Sequence, residues 1–217
     1  SLRLVGVGFR ASVENSKINL MVGYTHDLLK SLRIEEIVMV VGYKAEMIEE
    51  LFQGQVNFAL QEDRKGTAHA AKIGEEKLAS DYTHLLIIQG DDSAFYTKET
   101  IEKFIEQAKN YKIAFTTVRL PDPGAFGRVV RDENGEVSKI VEKEALTENE
   151  RNINEINAAT YFVERGWFNQ NYSKLTPSAV GKGELIMPDL IEKAFQEHSK
   201  VLGFEVPIKE WVGVNTP

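Results

Sequence analysis

The chain contains no cysteine. That excludes a disulfide framework, a thiolate metal site and a cysteine nucleophile. No apolar run approaches the roughly 20 residues of a membrane span, and no apolar segment of the kind a secretory leader needs follows Arg3. A cytoplasmic protein with no membrane partner is therefore expected. A basic excess is missing too: 26 Lys and Arg stand against 33 Asp and Glu, for a net charge of -7. Nucleic-acid binders usually carry a basic face, so no nucleic-acid partner is expected. A phosphate-bearing small ligand stays open, because a few local cations or a metal can recruit one. There are no repeats, no low-complexity tracts and no proline-rich linker.

What remains is 217 residues of ordinary globular composition, 42% hydrophobic and 27% charged. Apolar spacing predicts a helix from Tyr24 to about Arg33. The β-branched run Ile37–Gly42 reads as a buried strand, Ala45–Phe52 as a helix, Val56–Leu60 as a strand and Thr67–Ala79 as a helix. LLIIQGDDSAFY (Leu85–Tyr96) opens as a strand buried on both faces, followed by helix Lys98–Asn110 and strand Lys112–Leu120. Such alternation indicates βαβ units and a mainly parallel sheet. Gly127–Lys143 reads as two strands around an Asn134-Gly135 turn. Glu155–Glu164 is a strand, Glu184–His198 a helix begun or interrupted at Pro188, and KVLGFEVP and IKEWVGV late strands. An α/β fold with an antiparallel appendage is the expectation, with ligands at the carboxyl ends of the strands.

Five segments carry polar residues that their local structure does not require. In QEDRKGTAHAAK, Gln61 follows a strand, Gly66 is a loop glycine and Thr67 is a natural N-cap for its own helix. A helix start of this kind favours anions or polar base edges, though a plain capped helix accounts for it as well. In GDDSAFY two carboxylates, Asp91 and Asp92, end a buried strand; a solvated turn or a bound cation would each explain them. GAFGRVV (Gly124–Val130) permits close backbone approach or a simple bend. Glu142 in IVEK and Asn157 in EINAATYF are unusual in strands, yet each alone fits a solvent face.

Taken in order, GTAHA, GDD, FGRVV, IVEK, EIN and WVGVN resemble the sugar-1-phosphate nucleotidylyltransferases. The similarity is greatest to the uridylyltransferase (pyrophosphorylase) domain acting on N-acetylglucosamine 1-phosphate, and it runs from about Met21 to the C-terminus. The resemblance implies a Rossmann-like, mostly parallel sheet flanked by helices, with a small antiparallel β sugar-binding appendage. It implies one domain over 1–217, with 1–120 mainly nucleotide-binding and 121–217 mainly sugar-binding and ending in a metal ligand. It implies transfer of a nucleotidyl group from an NTP, UTP above all, to N-acetylglucosamine 1-phosphate or glucose 1-phosphate, releasing pyrophosphate with Mg2+ as cofactor. Gln61, Gly66 and Thr67 match the family's base-reading residues, and Gly90 lies beside them in the nucleotide set. Asp91 and Asn215 match its metal ligands. Gly127, Glu142, Asn157 and Glu184 match its sugar contacts.

The N-terminal signature departs from the family. GVGFR keeps Gly6, Gly8 and Arg10 as a Gly-x-Gly-x-Arg, and Lys17 aligns with the family's lysine. Arg10 and Lys17 are the expected catalytic cations and Gly6 and Gly8 nucleotide-binding glycines. However, too few residues precede Gly6 for a full first strand, and the stretch from Lys17 to Met21 is short. EINAA replaces the family's EINTG, and GELIMPD replaces GEYYITD. A second reading is therefore a catalytically silent module sensing nucleotide or sugar phosphate on the same fold. A third is a related transferase, although DDS is not the Asp-x-Asp typical of nucleotide-sugar glycosyltransferases.

Overall fold

The computed structural model describes residues 2–7, 15–42, 45–78, 82–90, 93–177 and 183–211, the side chains before residue 22 excepted. Among the described residues, nine strands form two sheets. The larger has the order β3-β2-β1-β4-β8-β5-β9 and the smaller is the β6-β7 hairpin. The large sheet comprises β1 (Leu2–Val7), β2 (Ile37–Val41), β3 (Asn57–Leu60), β4 (His84–Gln89), β5 (Ile113–Arg119), β8 (Glu155–Glu164) and β9 (Val201–Glu205). β1, β2, β3 and β4 run parallel, as do β5 and β9; only β8, between β4 and β5, runs against its neighbours.

The core follows from strand alternation. Leu85 and Ile87 of β4 face one way, against Ala68 and Ala71 of α3 (Thr67–Glu76), Phe168 of α5 (Arg165–Tyr172) and Met187 and Leu190 of α6 (Met187–Gln196). Leu86 and Ile88 face the other way, against Leu28 and Leu29 of α1 (Asn15–Ser31) and Ile101 and Phe104 of α4 (Lys98–Ala108). A short α2 (Ala45–Phe52) adds Ile48 and Phe52 over Met39 and Val41. β2 is buried along its whole length, which explains its unbroken apolar sequence. The result is a Rossmann-like mixed sheet between two helical layers.

The appendage joins β6 (Arg128–Arg131) to β7 (Val137–Val141). Gly135 sits at φ 78°, a conformation that favours glycine, and Asp132 Oδ1 accepts the Asn134 and Glu136 N–H at 2.9 Å each. Arg131 ties the hairpin to the large sheet. Its Nε donates to both Glu155 oxygens at 3.1 and 3.0 Å, and its Nη2 donates to the Gly203 carbonyl at 2.9 Å.

Three expectations are corrected, and one helix is added. Six residues do make a first strand: β1 pairs in register with both β2 and β4, because its length matches β4. The first helix begins at Asn15, nine residues before Tyr24. The run Ile208–Glu210 is a single 3-10 turn rather than a strand; its Glu210 accepts the Thr97 N–H at 3.0 Å instead of joining a ladder. Helix α5 is not signalled by the sequence, since eight residues containing a glycine and three aromatics offer little periodicity.

Candidate functional site

The strand order places β2 and β3 on one side of β1, and β4 with the rest of the sheet on the other. The crevice outside the carboxyl ends of β1 and β4 is thus a topological switch point, where open α/β sheets take ligands. Gly6 lies in β1 opposite Met39 and Ile88, and Gly90 follows β4, buried. Gly8, Arg10, Asp91, Asp92 and Asn215 lie outside the described residues, as does the side chain of Lys17, whose backbone is in α1. The chain flanking two of these positions is nevertheless joined. Glu210 Oε2, from the segment leading to Asn215, holds the Thr97 N–H at 3.0 Å, a few residues past Asp92 in sequence. Among the described residues no cluster of three or more acids and histidines forms a metal cage.

The Gln61 turn is well defined. Gln61 follows β3, its N–H bonded to the Val41 carbonyl at 2.8 Å, which fastens the end of β3 to the end of β2. Its side-chain nitrogen meets Gly66 O at 3.1 Å and His69 Nδ1 at 3.0 Å. A carbonyl only accepts, so the amide NH2 must face it. The same NH2 then donates to Nδ1, and the His69 proton sits on Nε2. Burial, aided by Lys65, lowers the imidazole pKa and so favours this neutral form.

Gly66 and Thr67 carry a structural role that the sequence did not reveal. A Cβ on Gly66, at φ 102°, would fall 2.2 Å from the Leu185 carbonyl oxygen. Leu185 N–H donates to Lys65 O at 2.7 Å, and its carbonyl accepts from Ala68 N at 2.9 Å. Thr67 does not cap its own helix: Gly66 holds the N-cap position of α3, and the Thr67 hydroxyl accepts the Met187 N–H at 3.0 Å, at the head of α6. The expected local cap is thus corrected to a cap across the fold. Exposed Glu184 precedes this lashed segment.

Gly127 and Glu142 come together across the open end of the hairpin, where a Cβ on Gly127 would lie 3.4 Å from Glu142 Oε1. Burial first, then the Glu144 and Asp189 charges, push the Glu142 carboxyl above its usual range. Among the described residues no cation pairs with it.

Asn157 enters from β8. Because that strand is reversed, its first residues lie at the edge where the other strands finish. The Asn157 amide is oriented at both ends: Nδ2 donates to Tyr161 OH at 3.0 Å and Oδ1 accepts the Ala159 N–H at 2.8 Å. Ala159 sits at φ 59°, within an irregularity of the β5-β8 ladder. This is the position at which the family pattern has glycine, and a residue with a Cβ is strained there. The EINAA spelling was the available signal.

The structure therefore brings Gln61, Gly66 and Thr67 together with the 185–187 segment, and Gly127 with Glu142. α6 packs on β7 and so links the two groups. The nucleotidyl transferase family pattern matches residues 13–216. The bifunctional protein GlmU of Bacillus licheniformis is 34% identical over 198 residues, covering 90% of this chain and 43% of that protein. GlmU of Thermoanaerobacter pseudethanolicus is 30% identical over 220 residues, covering 97% and 47%. The chain thus spans less than half the length of these curated relatives. Among solved structures, a Bacillus anthracis protein assigned as a glucose-1-phosphate thymidylyltransferase, in complex with sucrose, superposes with a TM-score of 0.70 at 20% identity, covering 95% of this chain and 87% of that one. That likeness is one of fold.

Proposed function

The chain belongs to the nucleotidyl transferase family, and on that premise we propose that it transfers a nucleotidyl group from an NTP, with UTP the favoured donor, to a sugar 1-phosphate, N-acetylglucosamine 1-phosphate or glucose 1-phosphate, releasing pyrophosphate. The observation that carries this reading is the pairing of a rigid polar turn, Gln61 to Thr67, with a bare acidic wall, Glu142 beside Gly127, both tied to α6. The first suits a nucleobase edge and the second suits sugar hydroxyls. Relatives named GlmU support the same assignment.

In this reading the Gln61 amide and the Gly66–Thr67 backbone hold the base. The Glu142 carboxylate, which has no donor among the described residues, accepts sugar hydroxyl hydrogens, and the pre-oriented Asn157 amide, the Gly127 backbone and Glu184 complete the sugar wall. The attacking atom is a phosphate oxygen, already ionised near neutral pH because its second pKa is about 6, so no general base is needed. The remaining task is to align two anions, which is a matter of position and charge. Arg10 and Lys17 would offset the negative charge. One carboxylate and one amide, Asp91 and Asn215, suit Mg2+, which keeps water and phosphate as its other ligands; the Glu210–Thr97 bond, which joins the chain segments flanking them, supports that pairing. When bound, the ion supplies positive charge against the phosphate oxygens.

The test is pyrophosphate release with Mg2+, each of four NTPs and a panel of sugar 1-phosphates, beside Asp91→Asn. Turnover with one pair, lost in the variant, is the expected result. Silence across the panel with nucleotide binding intact by calorimetry would instead favour the sensing module.

A further inference from the structure

Thr67 stands in the turn assigned to the nucleotide, yet its side chain is engaged elsewhere. α6 begins at Met187, and Ile186 in the N-cap position has no side-chain acceptor to offer. The helix's first N–H groups need partners from outside it. Pro188 has none to satisfy. The Asp189 N–H reaches the Ile186 carbonyl at 3.2 Å. The Met187 N–H is satisfied by Thr67 Oγ1, 120 residues away in sequence. The Leu185–Lys65 and Leu185–Ala68 backbone bonds lie immediately before it, and the close approach of Gly66 to Leu185 leaves no slack. From that anchored start α6 packs against β7. Met187 and Leu190 share a core with Val137, and β7 ends one residue before Glu142.

Resting on the site reading above, we propose that the Thr67 hydroxyl is a positioning group for the sugar side of the site: it fixes the first turn of α6, and through β7 the Glu142 wall, while the backbone of the same turn serves the nucleotide. Base and sugar recognition are then mechanically joined at one residue, and a side-chain change in the base-reading turn reads out in the acceptor sugar phosphate.

The experiment compares wild type, Thr67→Val and Thr67→Ser. Steady-state kinetics use UTP with glucose 1-phosphate and with N-acetylglucosamine 1-phosphate, and amide hydrogen exchange is followed at Met187. In Thr67→Val the KM for the sugar 1-phosphate rises about fivefold, the equilibrium factor a lost helix cap ordinarily carries, while the KM for UTP holds. Met187 exchange accelerates by a similar factor. Thr67→Ser, which keeps the acceptor oxygen, restores both. A Thr67→Val enzyme whose UTP KM rises alone would overturn the proposal, making the hydroxyl a nucleotide contact. Unaltered Met187 exchange in Thr67→Val would overturn the capping role itself, whatever the activity. Wild-type silence with every substrate pair counts against the reading of the site, and the exchange result still decides the cap.

Discussion

Glu75 and Glu142 are both drawn in from solvent, and the fold treats them in opposite ways. Glu75, on α3, is 2% exposed and fully compensated. It accepts from Lys72 Nζ, Tyr82 OH and Arg165 Nε, each at 2.7 Å, and from Asn169 Nδ2 at 3.2 Å. Although burial alone would raise its pKa, these donors bring the carboxyl down to about 2. Glu142 has burial and two neighbouring carboxylates but no cation among the described residues, and its pKa is raised. The first arrangement holds α3, α5 and the approach to β4 together. The second is costly to the free protein and makes sense where a ligand will supply the missing donors.

The largest effect should come from breaking the compensated site. Glu75→Ala leaves Lys72 and Arg165 without their central acceptor and should cost about 3–5 kcal/mol in urea unfolding. The same site predicts a pH dependence. A carboxylate whose folded pKa is depressed contributes fully above its unfolded value of about 4.3, and that contribution is lost as pH falls through about 2. The stability gap between wild type and Glu75→Gln should therefore be constant near neutrality and close below about pH 4. A gap that does not change with pH would mean that the buried charge is not what the network stabilises.

Glu142→Gln should move in the opposite sense. With the folded pKa raised, ionisation works against folding as pH rises through it, so removing the charge should stabilise the protein modestly at neutral pH. Thermal unfolding of the two proteins at pH 7 and pH 4 checks this, with the advantage of the variant confined to the higher pH. A gain is also expected at Ala159. Relief of its φ 59° strain by Ala159→Gly should gain about 0.5–1 kcal/mol after the entropic cost of glycine. A loss of stability would show that the methyl packs well enough to outweigh the strain.

The alternation from Ile37 to Arg119 and the Asn134-Gly135 hairpin were legible because they rest on local periodicity and turn chemistry. The direction of β8 was not, since alternation reads the same both ways, and its reversal is what brings Asn157 to the carboxyl edge. At the site, the closeness of Gly127 and Glu142 followed from the hairpin signal. The cap that Thr67 gives α6 could not be foreseen, because a threonine before an apolar run looks like a local cap whichever helix it serves. Arg131 and Glu155 were similarly opaque: each looks like a strand-face charge until the hairpin docks.

The most direct test of the contrast is pyrophosphate release by wild type and Glu142→Gln, with UTP and the sugar 1-phosphates varied in turn. The account predicts wild-type turnover, a KM for the sugar 1-phosphate raised by about tenfold or more in the variant, as expected for a lost charged hydrogen bond, and an unchanged KM for UTP. A variant with wild-type kinetics toward the sugar phosphate would contradict it, leaving Glu142 a half-buried carboxylate without a ligand to serve.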